Sequence, residues 1–365
     1  MKRFEYADDK IGPREIMIAV SAMIMGVGIL FLPELIVKET IGSDGWILII
    51  IGGIIFVCVS WCITKMVSLF PGKSFVELTS IIATKPVAIV LTLIYAFLML
   101  LFVTYTLRGL VNVTEKYILY ETPIEVTSLT FLLVVIYAVS GSRVGILRLN
   151  VMFFPIVVFI AFVVMGFSLS RVDTGNLLPV LQTDFKSYVS GLKAVLISFA
   201  GVSILWFYTP YMRHPKEAPK RVAFGVGFVA VMYVFWFLVT IGVFGPTVTA
   251  NLVYPSVELA KSIEIPGQFF ERFESLFFVI WAMGIFNTAS MSLDVMVLAL
   301  TSVFTKVRKQ VMIYIVSPFV FFIAMLPKNI IQLGDYGNAL SLTAFIYTIA
   351  VLVLLFVLMK VRKVR

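Results

Sequence analysis

Long apolar runs divide this chain, and they restrict its possible folds more than any other feature. Ten runs approach or exceed the roughly 20 residues that a helix needs to cross a bilayer, and nearly all charged residues fall between them. Hydrophobic residues make up 61% of the sequence, against about 45–50% in soluble domains. The pattern predicts an all-α polytopic membrane protein with a single membrane domain over residues 1–365 and no soluble domain.

The predicted spans cover residues 14–37, 45–69, 86–113, 125–141, 147–170, 188–209, 222–245, 269–300, 308–326 and 338–359. The fourth and ninth are short, whereas the third and eighth are long enough to tilt. The alternating segments of about ten residues that are typical of membrane barrels do not dominate. The first run is also too long for a cleavable signal peptide, so none is expected.

The distribution of positive charge predicts the orientation of the chain. With the N-terminus in the cytoplasm, 20 of the 29 lysines and arginines lie on the cytoplasmic side, as the positive-inside rule requires. Both termini are therefore expected in the cytoplasm. The net charge of +9 then reflects topology and not a nucleic-acid partner. The basic tail 360–365 is expected to anchor the last helix at an anionic lipid leaflet, with binding to a partner as the alternative.

Two glycines and a proline interrupt the first span. Gly26 and Gly28 lie near its middle and Pro33 follows. In a helix, glycine costs about 1 kcal/mol and proline about 3 kcal/mol relative to alanine. In lipid, a break in the helix is tolerated only where the freed backbone groups face protein, water or a ligand. A binding site is one interpretation, and close packing of two helices is the other.

The sixth span repeats this pattern. Small and polar residues at 198, 200, 201 and 203 precede Pro210. Five spans in each half would make the halves inverted repeats, about 14–170 and about 188–360, with the first and sixth helices broken. Interrupted helices at matching positions indicate a midplane binding site in transporter-like folds.

Two broken helices can bind both ends of an α-amino acid. The N–H groups at a break attract a carboxylate, and the C=O groups attract an ammonium. Small residues are needed at the break because a side chain would block the approach. Gly26, Gly28, Ala200 and Gly201 meet this need, and Val27 and Phe199 would form apolar walls. The expected ligand is a small, mostly neutral amino acid.

Several polar residues within the spans are further candidates. Thr288 and Ser292 share one helix face, although each hydroxyl could instead bond a carbonyl of its own helix. Asp294 is an ionisable group inside an apolar span, which indicates function unless it lies near the cytoplasmic end.

Charged residues near the ends of the spans have structural alternatives. Arg108 would snorkel outward or pair with a carboxylate. Glu271, Arg272 and Glu274 open the eighth span and are expected to form structural ion pairs in preference to ligand contacts. Glu34 is expected to be a hydrated cap, with a gate as the alternative.

The sequence contains no pattern typical of an enzyme. The one histidine, His214, lies in a loop, and no catalytic set, metal-spaced cluster or phosphate-binding glycine loop is present. Cys58 and Cys62 lie one helical turn apart and are expected to be small apolar residues, not a disulfide or a metal site. No enzyme activity, cofactor or metal is expected.

The ordered motifs resemble those of the B subunit of spore germinant receptors, the spore germination permease family of the amino acid–polyamine–organocation superfamily. The resemblance covers essentially the whole chain. It is carried by residues 25–33, 44–46, 122–124, 176–181, 198–201 and 271–275 and by Trp281.

The resemblance implies a leucine-transporter-like fold in which helices 1, 3, 6 and 8 line the ligand site. The matching positions are Gly26, Leu98 and Phe102, Ala200, and Thr288 and Ser292. It also implies the spore inner membrane, a complex with an A subunit and a lipoprotein C subunit, and sensing of an extracellular nutrient.

Two positions depart from the family pattern. Ser203 and Asn112 stand where relatives often carry glutamate, so Arg108 lacks its usual partner and proton coupling is disfavoured. The predicted function is therefore a receptor subunit that binds a small neutral amino acid and signals germination through partner subunits. A secondary, possibly proton-coupled, amino-acid transporter is the alternative, and a scaffold with a vestigial site is the third class.

Overall fold

The computed structural model describes residues 10–263 and 273–363, without the side chains of Val27, Ile197 and residues 273–276. Apart from loops and one isolated bridge between Ile11 and Met212, this part of the chain is helical. The α-helices are α1 (Pro13–Val37), α2 (Gly45–Val67), α3 (Phe75–Ile82), α4 (Lys85–Tyr117), α5 (Ile124–Ser140), α6 (Arg143–Ser168), α7 (Phe185–Ser198), α8 (Leu205–Tyr208), α9 (Ala218–Asn251), α10 (Pro255–Lys261), α11 (Phe273–Val303), α12 (Lys309–Ala324) and α13 (Ile330–Arg362).

The apolar helices correspond to the predicted spans. Within the described ranges, α2, α4, α6, α9, α11 and α13 are each long and apolar enough to cross a membrane. Two bent pairs of helical segments raise the count to eight, and α5 and α12 are shorter apolar helices. The all-α membrane fold is confirmed, and these segments are compatible with the ten predicted spans.

Both predicted breaks are present. The first helix bends by 51° between its segments Pro13–Gly26 and Gly28–Val37. The sixth span bends by 47° between Phe185–Leu196 and Ala200–Tyr211. After this second bend the chain forms a 3-10 turn at Ala200–Ile204 before α8 begins. The glycines and small residues therefore mark the breaks correctly.

A third irregularity lies in α9, at the residue where the seventh predicted span ends, and the helical segment beyond it continues to Asn251. Gly245 has a φ of +74° immediately before Pro246. Proline has no N–H and cannot bond the carbonyl four residues earlier, which is that of Gly242. The Asn176 side chain and the backbone N–H of Asp173 each donate to this carbonyl at 2.9 Å. A loop thus supplies the bonds that the helix lacks. The short helices α3 and α10 were also not predicted.

The broken helix α1 lies at the centre of the bundle, in contact with α6, α7, α9 and α11. We call the end where α1 begins and α13 ends the base, and the opposite end the top. At the base, the backbone of Ile11 bonds that of Tyr211 and Arg213, each at 2.9 Å. These two bonds join the start of α1 to the end of the second broken helix.

Two loops interlock at the top around Asp44. Its buried carboxylate accepts the backbone N–H groups of Leu181, Gln182 and Thr183 at 2.5, 2.8 and 2.9 Å. Desolvation raises the pKa of Asp44, but these hydrogen bonds outweigh it and hold the pKa below its usual value. Residues 44–46 and 176–181, two of the motifs that carry the resemblance, therefore meet in space.

Candidate functional site

Side chains from other helices donate hydrogen bonds to the carbonyls along the bend of α1. Each donor is buried, and the donors come from α9, α10 and α11. The pairs are Thr288 to Ala22 at 3.3 Å, Tyr233 to Ile24 at 2.9 Å, Trp281 to Gly26 at 3.1 Å and Ser256 to Ile29 at 2.6 Å. The bend is thus stabilised by the protein itself, as a break in lipid requires.

The two glycines of α1 make room for two of these donors. A Cβ atom on Gly26 would overlap the hydroxyl oxygen of Thr288, and one on Gly28 would overlap the hydroxyl oxygen of Tyr233. Each glycine therefore has a packing role, which is the alternative that the sequence left open. This role is compatible with a ligand site beside the same bend.

The second break packs directly against the first. A Cβ atom on Gly201 would lie 2.7 Å from the Cγ of Met23 and 3.1 Å from its carbonyl oxygen. Ser203 donates to the Ala200 carbonyl at 3.3 Å and accepts from the Tyr95 hydroxyl at 3.2 Å. The hydroxyl of Ser203 is thus engaged on both sides.

A small cavity of about 30 Å³ lies between the two breaks. A cavity needs about 10–15 Å³ to hold one water molecule, so this one has room for about two waters and not for an amino acid. It is lined by Met23, Ile24, Gly28, Phe31, Leu35, Phe102, Tyr105, Ser198, Gly201 and Ser341. This conformation of the bundle is therefore contracted around the breaks.

A larger vestibule of about 420 Å³ opens at the top. Phe31, Leu35 and Tyr105 line both the vestibule and the small cavity, so these three side chains lie at the junction of the two spaces. Glu34 also lines the vestibule and pairs with Lys38 at 2.6 Å. Glu34 thus lies at the entrance, next to the junction.

Only some of the predicted site residues line the small cavity. Gly28, Phe102 and Gly201 do so. Leu98, Phe199 and Ala200 are buried without lining it. Phe199 instead stacks on Phe56, with ring centroids 5.3 Å apart.

Both hydroxyls of α11 bond a carbonyl of their own helix and also contact α1. Thr288 bonds the Gly284 carbonyl on its own helix and the Ala22 carbonyl on α1. Ser292 donates to the Thr288 carbonyl at 2.7 Å and contacts the sulfur of Met23 on α1 at 3.9 Å. The side chain of Val27, another predicted site residue, lies outside the described residues.

Two polar groups of the cavity, on Tyr105 and Ser341, are not among the predicted site residues. Tyr105 lies three residues after Phe102 on α4, so it shares the same helix face and could have been named from that spacing. Ser341 lies on α13, a helix that neither the periodicity nor the resemblance assigned to the site.

Asp294 forms a buried charge network at the base. Its carboxylate is fully buried and contacts Arg143 Nε at 2.9 Å and Lys309 Nζ at 3.3 Å. The Tyr208 hydroxyl donates to the same carboxylate at 3.2 Å, and the Arg143 guanidinium lies 5.0 Å from the Tyr211 ring centroid. Residues of four spans meet here, which identifies Asp294 as a cross-linking charge.

Arg108 does not snorkel to the surface. Only 5% of it is exposed, and its guanidinium donates to the sulfur of Met325 at 4.0 Å. Within 10–263 and 273–363 it forms no ion pair with a carboxylate. Glu271 and Arg272 and the side chain of Glu274 lie outside the described residues, so their ion pairing stays a prediction.

Two curated spore germination proteins are similar over nearly all of the chain. Spore germination protein GerLB of Bacillus cereus is 38% identical over 93% of this chain and 92% of its own length. Spore germination protein YndE of Bacillus subtilis (strain 168) is 28% identical over 97% of each chain.

Two solved structures share the fold. Mhp1, a nucleobase-cation-symport-1 family transporter solved in a closed conformation with bromovinylhydantoin, has a TM-score of 0.66 at 15% identity. It matches over 92% of this chain and 76% of its own. MhsT in complex with L-phenylalanine also has a TM-score of 0.66, at 14% identity over 92% of this chain and 87% of its own. The leucine-transporter-like fold expected from the resemblance is confirmed.

A family model decides the classification. The model described as spore germination protein matches residues 10–333, which is most of the chain and includes both breaks, the Asp44 loop and the Asp294 network. Together with the 38% identity to GerLB, this match confirms the resemblance found in the sequence. The chain belongs to the spore germination protein family.

Proposed function

We propose that this chain is a germinant receptor subunit that binds a small neutral amino acid between the two helix breaks. Binding would change the relative positions of the broken helices, and partner A and C subunits would receive that change. Membership of the spore germination protein family supports the biological role. The chemistry of the site supports the class of ligand.

One observation carries the proposal: a vestibule of about 420 Å³ leads to a contracted cavity of about 30 Å³ at the breaks. Phe31, Leu35 and Tyr105 lie between them. On the far side, the Asp294 network closes the base. A ligand would therefore enter from the top and displace Phe31 and Tyr105, which enlarges the cavity.

The backbone offers contacts for both charged ends of the ligand. Most of the carbonyls around the bend of α1 already accept donors, so the ammonium needs another acceptor. The Ser198 carbonyl faces Gly28, since a Cβ atom on Gly28 would lie 3.1 Å from the Ser198 carbonyl oxygen. N–H groups at the start of the turn Ala200–Ile204 would receive the carboxylate. Phe102 would contact the side chain, which favours an apolar one.

The proposed orientation places both termini in the cytoplasm and the vestibule outside. The positive-inside distribution supports it. Family membership supports the spore inner membrane as the location. Protease accessibility of a tag at each terminus in right-side-out vesicles tests the orientation, and cleavage from outside would contradict it.

Substitution of Ser341 tests the pocket directly. Spores that lack the wild-type subunit are complemented with Ser341→Leu, which fills the cavity, or with Thr343→Leu, an exposed position one half-turn away. We expect Ser341→Leu to abolish the response to the amino acid and Thr343→Leu to preserve it at equal abundance. An unchanged response in Ser341→Leu spores would remove the cavity from the mechanism.

Enlarging the same cavity tests specificity. Phe102→Ala should shift the response toward a bulkier amino acid, whereas Phe97→Ala, which removes a lipid-facing ring that is 56% exposed, should not. Thermal stabilisation of the purified protein by each of the 20 amino acids gives an independent readout, because a ligand that binds the native state stabilises it by about 2.7 kcal/mol at 100 times its Kd. No stabilisation by any neutral amino acid would contradict the ligand class.

Secondary amino-acid transport is the second candidate function. The solved neighbours with this fold, Mhp1 and MhsT, support it at the level of the fold. Ser203 and Asn112 supply no titratable group at the positions where relatives often carry glutamate, which disfavours proton coupling. Uptake of radiolabelled amino acid into proteoliposomes decides between the two, since accumulation driven by an ion gradient would establish transport.

A further inference from the structure

An apolar groove of about 460 Å³ lies on the lipid-facing surface near the base, between the final turns of α2 and α13. Its walls include Trp61 and Cys62 from α2 and Leu352 and Phe356 from α13. Trp61 and Phe356 are 40% and 52% exposed. The groove therefore opens outward, away from the vestibule and the helix breaks.

Two lysines lie over rings that form the walls of this groove. Lys65 Nζ is 4.3 Å from the ring centroid of Trp61, and Lys360 Nζ is 4.9 Å from that of Phe356. Neither ammonium forms an ion pair with a carboxylate in the part of the chain that the structure describes. The guanidinium of Arg362 donates to the Ala83 carbonyl, which anchors the end of α13 beside the groove.

The groove thus has apolar walls and a cationic end near the base. An amphiphile with an anionic head and an acyl chain matches that shape and charge. A transmembrane helix of another protein would match the apolar walls but would leave the two ammonium groups without a counter-charge. The charge pattern therefore favours a lipid.

We propose that this groove between α2 and α13 is a binding site for an anionic phospholipid. One acyl chain lies between Trp61 and Phe356, and the phosphate lies between Lys65 and Lys360. The site is separate from the proposed amino-acid pocket and does not depend on it. A lipid bound here would bridge the ends of α2 and α13.

Native mass spectrometry of the purified chain tests the site with two lipids that share acyl chains, phosphatidylglycerol and phosphatidylcholine. We expect one phosphatidylglycerol to be retained preferentially by the wild type. Each basic residue near a membrane surface contributes about a fivefold preference for anionic lipid. Lys65→Gln with Lys360→Gln should therefore reduce the preference by about 25-fold. Lys306 is an exposed lysine outside the groove, so Lys306→Gln should leave the preference for anionic lipid unchanged.

A second variant tests the acyl-chain part of the site. Cys62 is exposed, so Cys62→Phe fills the groove without entering the core, and its melting temperature shows whether the fold is intact. We expect weaker retention of both lipids. Equal retention of the two lipids by the wild type, or an unchanged preference in the double lysine variant, would overturn the proposal. Loss of partner subunits in Cys62→Phe with lipid retention unchanged would also overturn it and assign the groove to a protein interface.

Discussion

The hydroxyl of Ser256 donates to the carbonyl of Ile29 at 2.6 Å, and Ile29 lies four residues before Pro33. Proline has no N–H, so it leaves the carbonyl four residues earlier without a donor inside the helix. Ser256 on α10 supplies that donor and also accepts from Trp236 Nε1 at 2.7 Å. The second half of α1 is thus connected to α9 through a single serine.

Ser256→Ala should destabilise the protein by about 1–3 kcal/mol, because it leaves buried hydrogen-bonding groups unpaired. In a Pro33→Ala background, residue 33 regains an N–H that can bond the Ile29 carbonyl. Ser256→Ala should therefore reduce the stability less in that background. Thermal unfolding of the four proteins in detergent measures this coupling. Ser262→Ala is the matched control, since that hydroxyl bonds only its own helix. Equal costs in the two backgrounds would show that Pro33 and Ser256 are not coupled.

The Gly26→Ala variant should lose stability, because its Cβ would overlap the Thr288 hydroxyl. Overpacking of this kind typically costs about 1–3 kcal/mol. Thr288→Ala removes the overlapping oxygen, so the double variant should recover part of the loss in melting temperature and in membrane abundance. A double variant that is no more stable than Gly26→Ala would locate the strain elsewhere, for instance at the Gly284 carbonyl, 3.2 Å from the added Cβ.

Sequence reasoning located the breaks because glycine and proline have intrinsic costs in a helix that are visible without a structure. It could not identify what stabilises them. Thr288 and Tyr233 are more than 200 residues from the carbonyls that they bond, and no local pattern couples such positions. The partners of Asp294 illustrate the same limit, since Arg143 is 151 residues away. The seventh predicted span ends at Gly245, where the kink lies, but the Asn176 side chain that supports the kink lies in a distant loop and was not identified.

The Asp44 loop contact should make stability depend on pH in the acidic range. The pKa of Asp44 is lowered in the folded state, so the unfolded chain binds the proton more readily. Its stabilisation is therefore complete above the unfolded pKa of about 3.9 and is lost as the pH falls through the lower folded value. The melting temperature should fall in this window for the wild type and less steeply for Asp44→Asn. Glu121 is an exposed residue at the same end of the bundle. Glu121→Gln should therefore retain the wild-type dependence of melting temperature on pH.

Asp294→Asn should be among the most damaging single substitutions, because it leaves the charges of Arg143 and Lys309 without their shared partner. Breaking a fully buried ion pair by removing one member costs about 3–5 kcal/mol, and the cost here should be smaller because the Arg143 and Lys309 side chains are 21% and 29% exposed. Replacing Arg143 as well, in Arg143→Gln with Asp294→Asn, removes one of the uncompensated charges, so the double variant should be more stable than the sum of the two single losses predicts. Thermal unfolding in detergent gives the four values for this cycle.

The same cycle bears on how the base is closed. If the network joins the four spans, Asp294→Asn should also increase the reaction of a Ser290→Cys variant with a water-soluble maleimide, because water would enter between α8 and α11. Ser290 is buried one turn from Asp294 on α11, and the exposed Cys58 and Cys62 are replaced by alanine in both proteins. An additive cycle with unchanged labelling would mean that Asp294 interacts with Arg143 only weakly and that other contacts, such as those of Ile11 with Tyr211 and Arg213, close the base.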